Sequence, residues 1–139
     1  MYQYINSLLL KIYCNNIFMV HTMGGKIAIV IISDWDQKLK VTSGLHLAKR
    51  IYDVRQENGI ENIEVFLFAG GAKLLQMPPQ EFDQILSELR QAGILIVACI
   101  NEVKIWGLDE MVKKYDLRLE FARDAFSRYA KEGYVVLTF

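Results

Sequence analysis

Ile94-Leu95-Ile96-Val97-Ala98-Cys99-Ile100-Asn101 is the stretch whose reading decides the fold. Its unbroken apolar run lacks the period-two alternation of a half-exposed strand, so it reads as a strand covered on both faces. Strands of that kind belong to parallel sheets with helices on either side. The run closes on Cys99. Asn101, Glu102, Val103, Ile105, Trp106, Gly107 and Leu108 then have the composition of a short helix or turn leaving the carboxyl end of the strand. Open parallel sheets bind and react at that end, which makes Cys99 the first candidate for chemistry.

Working outward, the same pattern recurs. Residues 26–32 (Lys-Ile-Ala-Ile-Val-Ile-Ile) form a buried parallel strand by the same argument, and residues 63–68 (Ile-Glu-Val-Phe-Leu-Phe) form the next. Between them, Ser33, Asp34 and Asp36 are side chains that cap a helix start by accepting free backbone N–H bonds. Val41, Leu45, Ala48 and Tyr52 share a helical face, which predicts a helix over 37–58 with Asn58-Gly59 as its stop. Gly44 inside that helix either permits close approach to the sheet or is neutral. Ala69-Gly70-Gly71 turns out of the second strand, and 72–75 is expected to add one helical turn. Pro78-Pro79 opens a helix carried by Phe82, Ile85, Leu86, Leu89 and Ala92, and Gly93 ends it.

Downstream of Cys99, Leu108, Met111, Val112 and Tyr115 mark another short helix. Residues 116–120 alternate polar and apolar, the pattern of an edge or half-exposed strand. Phe121, Ala125, Phe126 and Tyr129 predict a helix closed by Gly133, and 134–139 a last strand. The order βαβαβαβαβ predicts one three-layer α/β/α domain around a five-stranded parallel sheet.

The composition agrees. The 139 residues suit one core, and 53% hydrophobic with 23% charged residues is a globular balance. Acidic and basic residues are equal at 16 each, so net charge asks for neither nucleic acid nor an acidic partner surface. The 2 Cys and 2 His lack paired ligand spacing, which argues against zinc. The low cysteine count fits a reducing cytoplasm. No cofactor fingerprint follows the first strand, and none is expected.

Residues 1–22 stand apart from the domain at 23–139. Leu8, Leu9, Leu10, Ile12, Ile17 and Val20 are interrupted by Lys11, Asn15 and Asn16, so neither a signal peptide nor a membrane span is expected. Three readings compete: an amphipathic helix docked on this or a neighbouring subunit, a poorly ordered segment, or sequence upstream of a start at Met23.

A cysteine at a strand-to-helix junction has helix N–H groups and crevice access to make it reactive. Lys104 adds favourable charge and Glu102 opposes it. A Cys-His hydrolase needs His21 or His46 brought in by folding, and His46 reads as an ordinary helix residue. Without Cys-x-x-Cys, a self-contained dithiol oxidoreductase is disfavoured. A single thiolate that holds a sulfur species and passes it on remains, against the alternative of an inert buried thiol. Gly70-Gly71 is a weak anion-site signal, and Lys73 beside it is either an anion contact or solvated surface.

Residues 26–32, the block Glu64-Val65-Phe66-Leu67-Phe68-Ala69-Gly70-Gly71-Ala72-Lys73-Leu74-Leu75, Ala92-Gly93 with Val97-Ala98-Cys99, Gly107-Leu108 and Glu132-Gly133-Tyr134-Val135-Val136-Leu137 together resemble the DsrE/DsrF-like sulfur-relay family. The resemblance covers nearly all of 24–139. It implies a small α/β fold with a five-stranded parallel sheet, assembled as a homo-oligomer (trimer or hexamer). It also implies persulfide or thiosulfonate sulfur held on Cys99 and exchanged with a TusA-like carrier protein. Around Cys99 the expected contacts are Asn101, Lys73 and Lys104 for charge, Ser33 and Asp34 as crevice lining, and Trp106 as a shield. The other reading is an oligomeric scaffold or small-ligand binding protein of the same fold.

Overall fold

The computed structural model describes residues 24–139. The readings of 1–22, and Cys14, lie outside the described residues. β1 (Gly25–Ile31), β2 (Ile60–Leu67), β3 (Leu95–Cys99), β4 (Arg118–Glu120) and β5 (Tyr134–Thr138) form one sheet in the order β4-β3-β2-β1-β5, with every neighbouring pair parallel. The helices are α1 (Lys38–Asp53), α2 (Gly70–Lys73), α3 (Gln80–Ala92), α4 (Ile100–Trp106), α5 (Asp109–Lys114) and α6 (Ala122–Glu132). The expected three-layer α/β/α architecture with five parallel strands is what forms.

The chain steps from β1 to β4 in one direction, then returns across the sheet to place β5 on the far side of β1. Right-handed crossovers put the connections of the two directions on opposite faces. α1 and α3 therefore share one face, packing Val41, Leu45, Phe82, Leu86 and Leu89 on Ile29, Ile31, Val65, Leu67, Ile96 and Ala98. α6 covers the other, with Ala125 and Tyr129 on Ala28, Val30, Phe66, Val97 and Cys99. This two-sided burial is why the central strands read as continuous apolar runs.

Some boundaries move. The helix expected over 37–58 ends at Asp53 and continues as turns to Gly59 (φ 66°). Arg55 reinforces that end: its guanidinium lies 3.8 Å from the Tyr52 ring centre and donates at 2.7 Å to the Tyr52 carbonyl, which also accepts the Arg55 backbone N–H at 3.3 Å. Gly44 is a close-approach residue, since a Cβ there would lie 2.7 Å from the Phe139 ring and 2.8 Å from Ile31 Cδ1. The chain end is fixed in turn: Ile32 N–H and Ser33 N–H both donate to the Phe139 carbonyl, at 2.9 and 3.2 Å.

Gly70-Gly71 also answers to packing. Gly70 N–H donates to the Ile32 carbonyl at 3.0 Å and Gly71 N–H to the Phe68 carbonyl at 3.1 Å, so these donors face protein and not an anion. A Cβ on Gly71 would sit 2.1 Å from the Ile31 carbonyl oxygen. Alanine gains roughly 1 kcal/mol of helix propensity over glycine, but overpacking costs about 1–3 kcal/mol or more, and here the obstacle is the central strand's backbone. Gly71→Ala is expected to destabilise by about 2 kcal/mol net, read as a lower urea midpoint at unchanged m-value.

Candidate functional site

β3 alternates as a pleated strand must, sending Ile96 and Ala98 to the α1/α3 face and Val97 and Cys99 to the α6 face. Cys99 is at once the last residue of β3 and the residue preceding α4. Its side chain makes no capping bond, the thiol is free, and the residue is 3% exposed. Parallel pairing sets it opposite Glu120 of β4.

Over the thiol lies a cleft of about 490 Å³ lined by Phe68, Cys99, Asn101, Glu102, Phe121, Ala122 and Arg123. Phe68 leaves β2. Phe121 to Arg123 join β4 to α6, and Asn101 and Glu102 belong to the first turn of α4. Two of the seven, Phe68 and Phe121, are aromatic, and the rest are small, polar or charged. Arg123 stands at the mouth with its side chain 79% exposed, its guanidinium 5.0 Å from the Phe121 ring centre and Nε 3.5 Å from Asp124 Oδ1.

Glu102 is the unusual member. Its Oε1 accepts from Ala69 N–H at 2.8 Å, while its Oε2 is buried with no hydrogen-bond partner. Burial pushes the carboxyl above its ordinary pKa, and the Ala69 N–H offsets only part of that. Ala69 itself has φ 51° and ψ −119°, close to the first central position of a type II′ turn, where glycine is usual. The carboxylate thus holds the N–H of a strained turn.

Of the residues expected around Cys99, the structure brings Asn101 to it and separates the others. Lys73 Nζ lies 3.4 Å from Asp34 Oδ2, and Asp34 Oδ1 caps the next turn through Trp35 N–H at 2.7 Å. The Trp35 N–H bond and Lys73 together hold the Asp34 carboxyl below its ordinary range, against the opposing effect of burial. Ser33 is tied by its backbone to the end of β5. None of these three lines the cleft. Lys104 is exposed on α4 and does not line it either. Trp106 is no shield: it packs against the α1/α3-side core beside Leu75, Leu108 and Met111, across the sheet from the thiol. The helical period decides this, because α4 turns its later residues towards the opposite face.

Open parallel sheets also take ligands at the switch point, where the strand order reverses. With order β4-β3-β2-β1-β5 the reversal falls between β1 and β5, away from Cys99, whose own cleft lies beside β4. A separate cleft of about 560 Å³ lies near the switch, lined by Asp36, Gln37, Lys38, Leu39, Lys40, Ser43 and Phe139.

Sequence reasoning missed Phe68, Phe121, Ala122 and Arg123 as cleft walls. The available signal was the edge strand at 116–120: pairing it beside the cysteine strand carries the residues after it to Cys99. It also missed a buried ion cluster under α6. Glu64 in β2 is 1% exposed, and Arg128 holds it with two bonds, Nη2 to Oε1 at 2.7 Å and Nη1 to Oε2 at 3.2 Å. Arg128 also donates to both oxygens of Glu120, at 3.1 and 3.0 Å, and Tyr129 OH donates to Glu64. Among the described residues no group of three or more His, Cys, Asp or Glu is placed to hold a metal ion, and no helix is long and apolar enough to cross a membrane.

No protein-family model and no curated protein matches the chain. Solved structures do. A conserved protein of unknown function from Bacteroides thetaiotaomicron, BT1422, superposes with a TM-score of 0.63 at 20% identity, over 81% of this chain and 94% of that one. MTH1491 from Methanobacterium thermoautotrophicum, also of unknown function, superposes with a TM-score of 0.55 at 18% identity, over 83% and 99%. At such identities the likeness is one of fold: the chain is a parallel five-stranded α/β domain that spans nearly the whole of either neighbour.

Proposed function

We propose that this chain is a cysteine-based sulfur carrier of the DsrE/DsrF-like kind, holding sulfane or thiosulfonate sulfur on Cys99 and exchanging it with a partner thiol. The observation that carries this reading is a free thiol at the carboxyl end of β3 beside a cleft that Phe68 and Phe121 wall in part, with Asn101 and Arg123. The sequence blocks that resemble the family span the same domain. The cleft shields a bound persulfide from water, while its open mouth admits a partner's sulfur. A TusA-like protein is the natural acceptor, and a reducing cytoplasm the natural setting.

The reading includes a homo-oligomer, trimer or hexamer. Val135 and Val136 on edge strand β5 and Leu119 on edge strand β4 are exposed apolar surface in the single chain, which an assembly would cover.

The test is direct. The reduced protein is treated with tetrathionate or polysulfide, and the adduct is weighed intact and mapped by digestion. Sulfur or thiosulfonate on Cys99 that returns to thiol with a reductant, and that moves to a second protein's thiol, is expected. Reaction only at Cys14, or only after denaturation, sinks the proposal.

A second reading, a non-catalytic scaffold or small-ligand binder, is favoured by two observations. Cys99 is nearly inaccessible, and the larger cleft lies near the β1/β5 switch, where folds of this class take ligands. The same mass experiment separates the two, since a scaffold leaves Cys99 unmodified.

A further inference from the structure

Cys99 is buried, so as a thiol it must lose its proton inside the cleft before it can attack sulfur. The cleft supplies few takers. Phe68, Phe121 and Ala122 cannot accept a proton, Asn101 is a neutral amide, and Arg123 stays charged. Glu102 is the one ionisable acceptor among the lining residues. Its free oxygen is buried and unpartnered, a costly state for a carboxylate that has only a structural task. Its other oxygen is fixed by Ala69 N–H, which anchors the side chain without occupying the face that remains.

We infer that Glu102 is the proton-exchanging partner of Cys99, taking the thiol proton as sulfur arrives and returning it to the thiolate that leaves. The inference rests on the sulfur-carrier reading and deepens it. With a small persulfide R–S–SH as donor, Cys99–SH passes its proton to the Glu102 carboxylate. The Cys99 thiolate attacks the outer sulfur, forming Cys99–S–SH and breaking the R–S–SH sulfur–sulfur bond, whose electron pair leaves on R–S⁻. Glu102 then protonates R–S⁻ to R–SH. One sulfane sulfur moves between thiols with no net oxidation. Glu102 Oε2 makes no bond to Cys99 at rest and is closed to water, so the proton crosses only once the donor is bound in the cleft.

Around Glu102 stand the thiol of Cys99 from β3 and three charged groups: Arg123 from α6, Lys104 on its own helix, and Lys73 from α2, already paired with Asp34. The carboxyl's raised pKa suits it to accept and return a proton nearer neutrality. A carboxyl that binds its proton more tightly when folded contributes stability at low pH, and loses it as pH rises through the folded value. Glu102→Gln, which keeps an oxygen for Ala69 N–H, is therefore expected to unfold at or above the wild-type temperature at neutral pH.

Single-turnover loading from glutathione persulfide, followed by intact mass across pH, tests the role. Wild type is expected to show a rate inflection above the ordinary carboxylate range. Glu102→Gln is expected to lose that inflection and load about 100-fold more slowly, in the range of general acid–base effects. Loading of Glu102→Gln at the wild-type rate and pH profile overturns the inference and leaves Cys99 as carrier untouched. Failure of wild type to load on Cys99 overturns both. A carbon NMR titration of the Glu102 carboxyl gives a check without a Glu102 variant. Alkylating Cys99 is expected to shift its midpoint, and an unshifted midpoint overturns the coupling.

Discussion

Replacing Arg128 by alanine is expected to lower stability by about 3–5 kcal/mol, the cost of leaving a buried charge without its partner. Glu64 lies in the middle of β2, between Ala28 of β1 and Leu95 of β3, and is 1% exposed. Beyond Arg128, among the described residues it keeps only the Tyr129 hydroxyl. A surface pair would matter little, but this one is a two-bond guanidinium–carboxylate contact whose carboxylate is buried and whose guanidinium is partly so. The informative companion is Glu64→Leu/Arg128→Leu, because removing both charges together is often neutral or stabilising. Urea unfolding of Glu64→Leu, Arg128→Leu and the double variant forms the cycle, and a double variant as weak as Arg128→Leu would refute this account. Acid adds a second signature. Arg128 holds the Glu120 carboxyl below its ordinary range, so that contribution is fully present above the unfolded carboxylate pKa and is lost as pH falls through the folded value. The gap between wild type and Arg128→Ala should therefore narrow in acid. The damage should also reach the cleft, since the same arginine fastens β4 and α6, whose junction forms one wall.

Cys99→Ser is expected to abolish sulfur loading at this position altogether, while the chain still folds. A serine hydroxyl is not a nucleophile toward sulfane sulfur at neutral pH, so the loss should exceed any effect of the surrounding groups. Folding is spared because two terms oppose one another. An unpartnered buried hydroxyl costs about 1–3 kcal/mol. Serine ahead of a helix, accepting a first-turn N–H that the thiol leaves free, returns about 0.5–2 kcal/mol. Cys99→Ala provides the apolar control, and Cys14→Ser isolates the other thiol. A Cys99→Ser protein that takes up as much reversible sulfur as wild type would move the chemistry elsewhere.

The fold was legible because burial on two faces writes an unmistakable apolar run, seen at 26–32, 63–68 and 94–99. The cysteine's place at the end of β3 followed from the same pattern. The walls of its cleft did not. Phe121, Ala122 and Arg123 reach Cys99 only because β4 pairs with β3, and a three-residue strand gives little periodicity to announce its neighbour. Lys73 and Asp34 were correctly placed at the carboxyl end of the sheet, yet they satisfy each other, which spacing along the chain does not reveal. Trp106 was misjudged because the few residues between it and Cys99 carry it to the opposite face. Glu64 was hidden inside an apolar run, where a single acidic residue does not disturb the reading of a buried strand. Its partner Arg128 lies in a helix whose polar residues read as solvent-facing.

The pairing of β1 bears on how the chain is made. β1 is the first of the described strands to be synthesised, and in the finished sheet it is interior, held on one side by β2 and on the other by β5, where Lys26 meets Tyr134. Nearly the whole domain must be synthesised before that second side can close, and the closure carries the entropy of a long loop. Until then β1 is an edge with open backbone groups on an apolar strand, the form most prone to pair with the wrong partner. The slot beside Gly44 also waits, empty of the Phe139 ring. Nascent chains paused before β5 are thus the species on which chaperones and crowding should act.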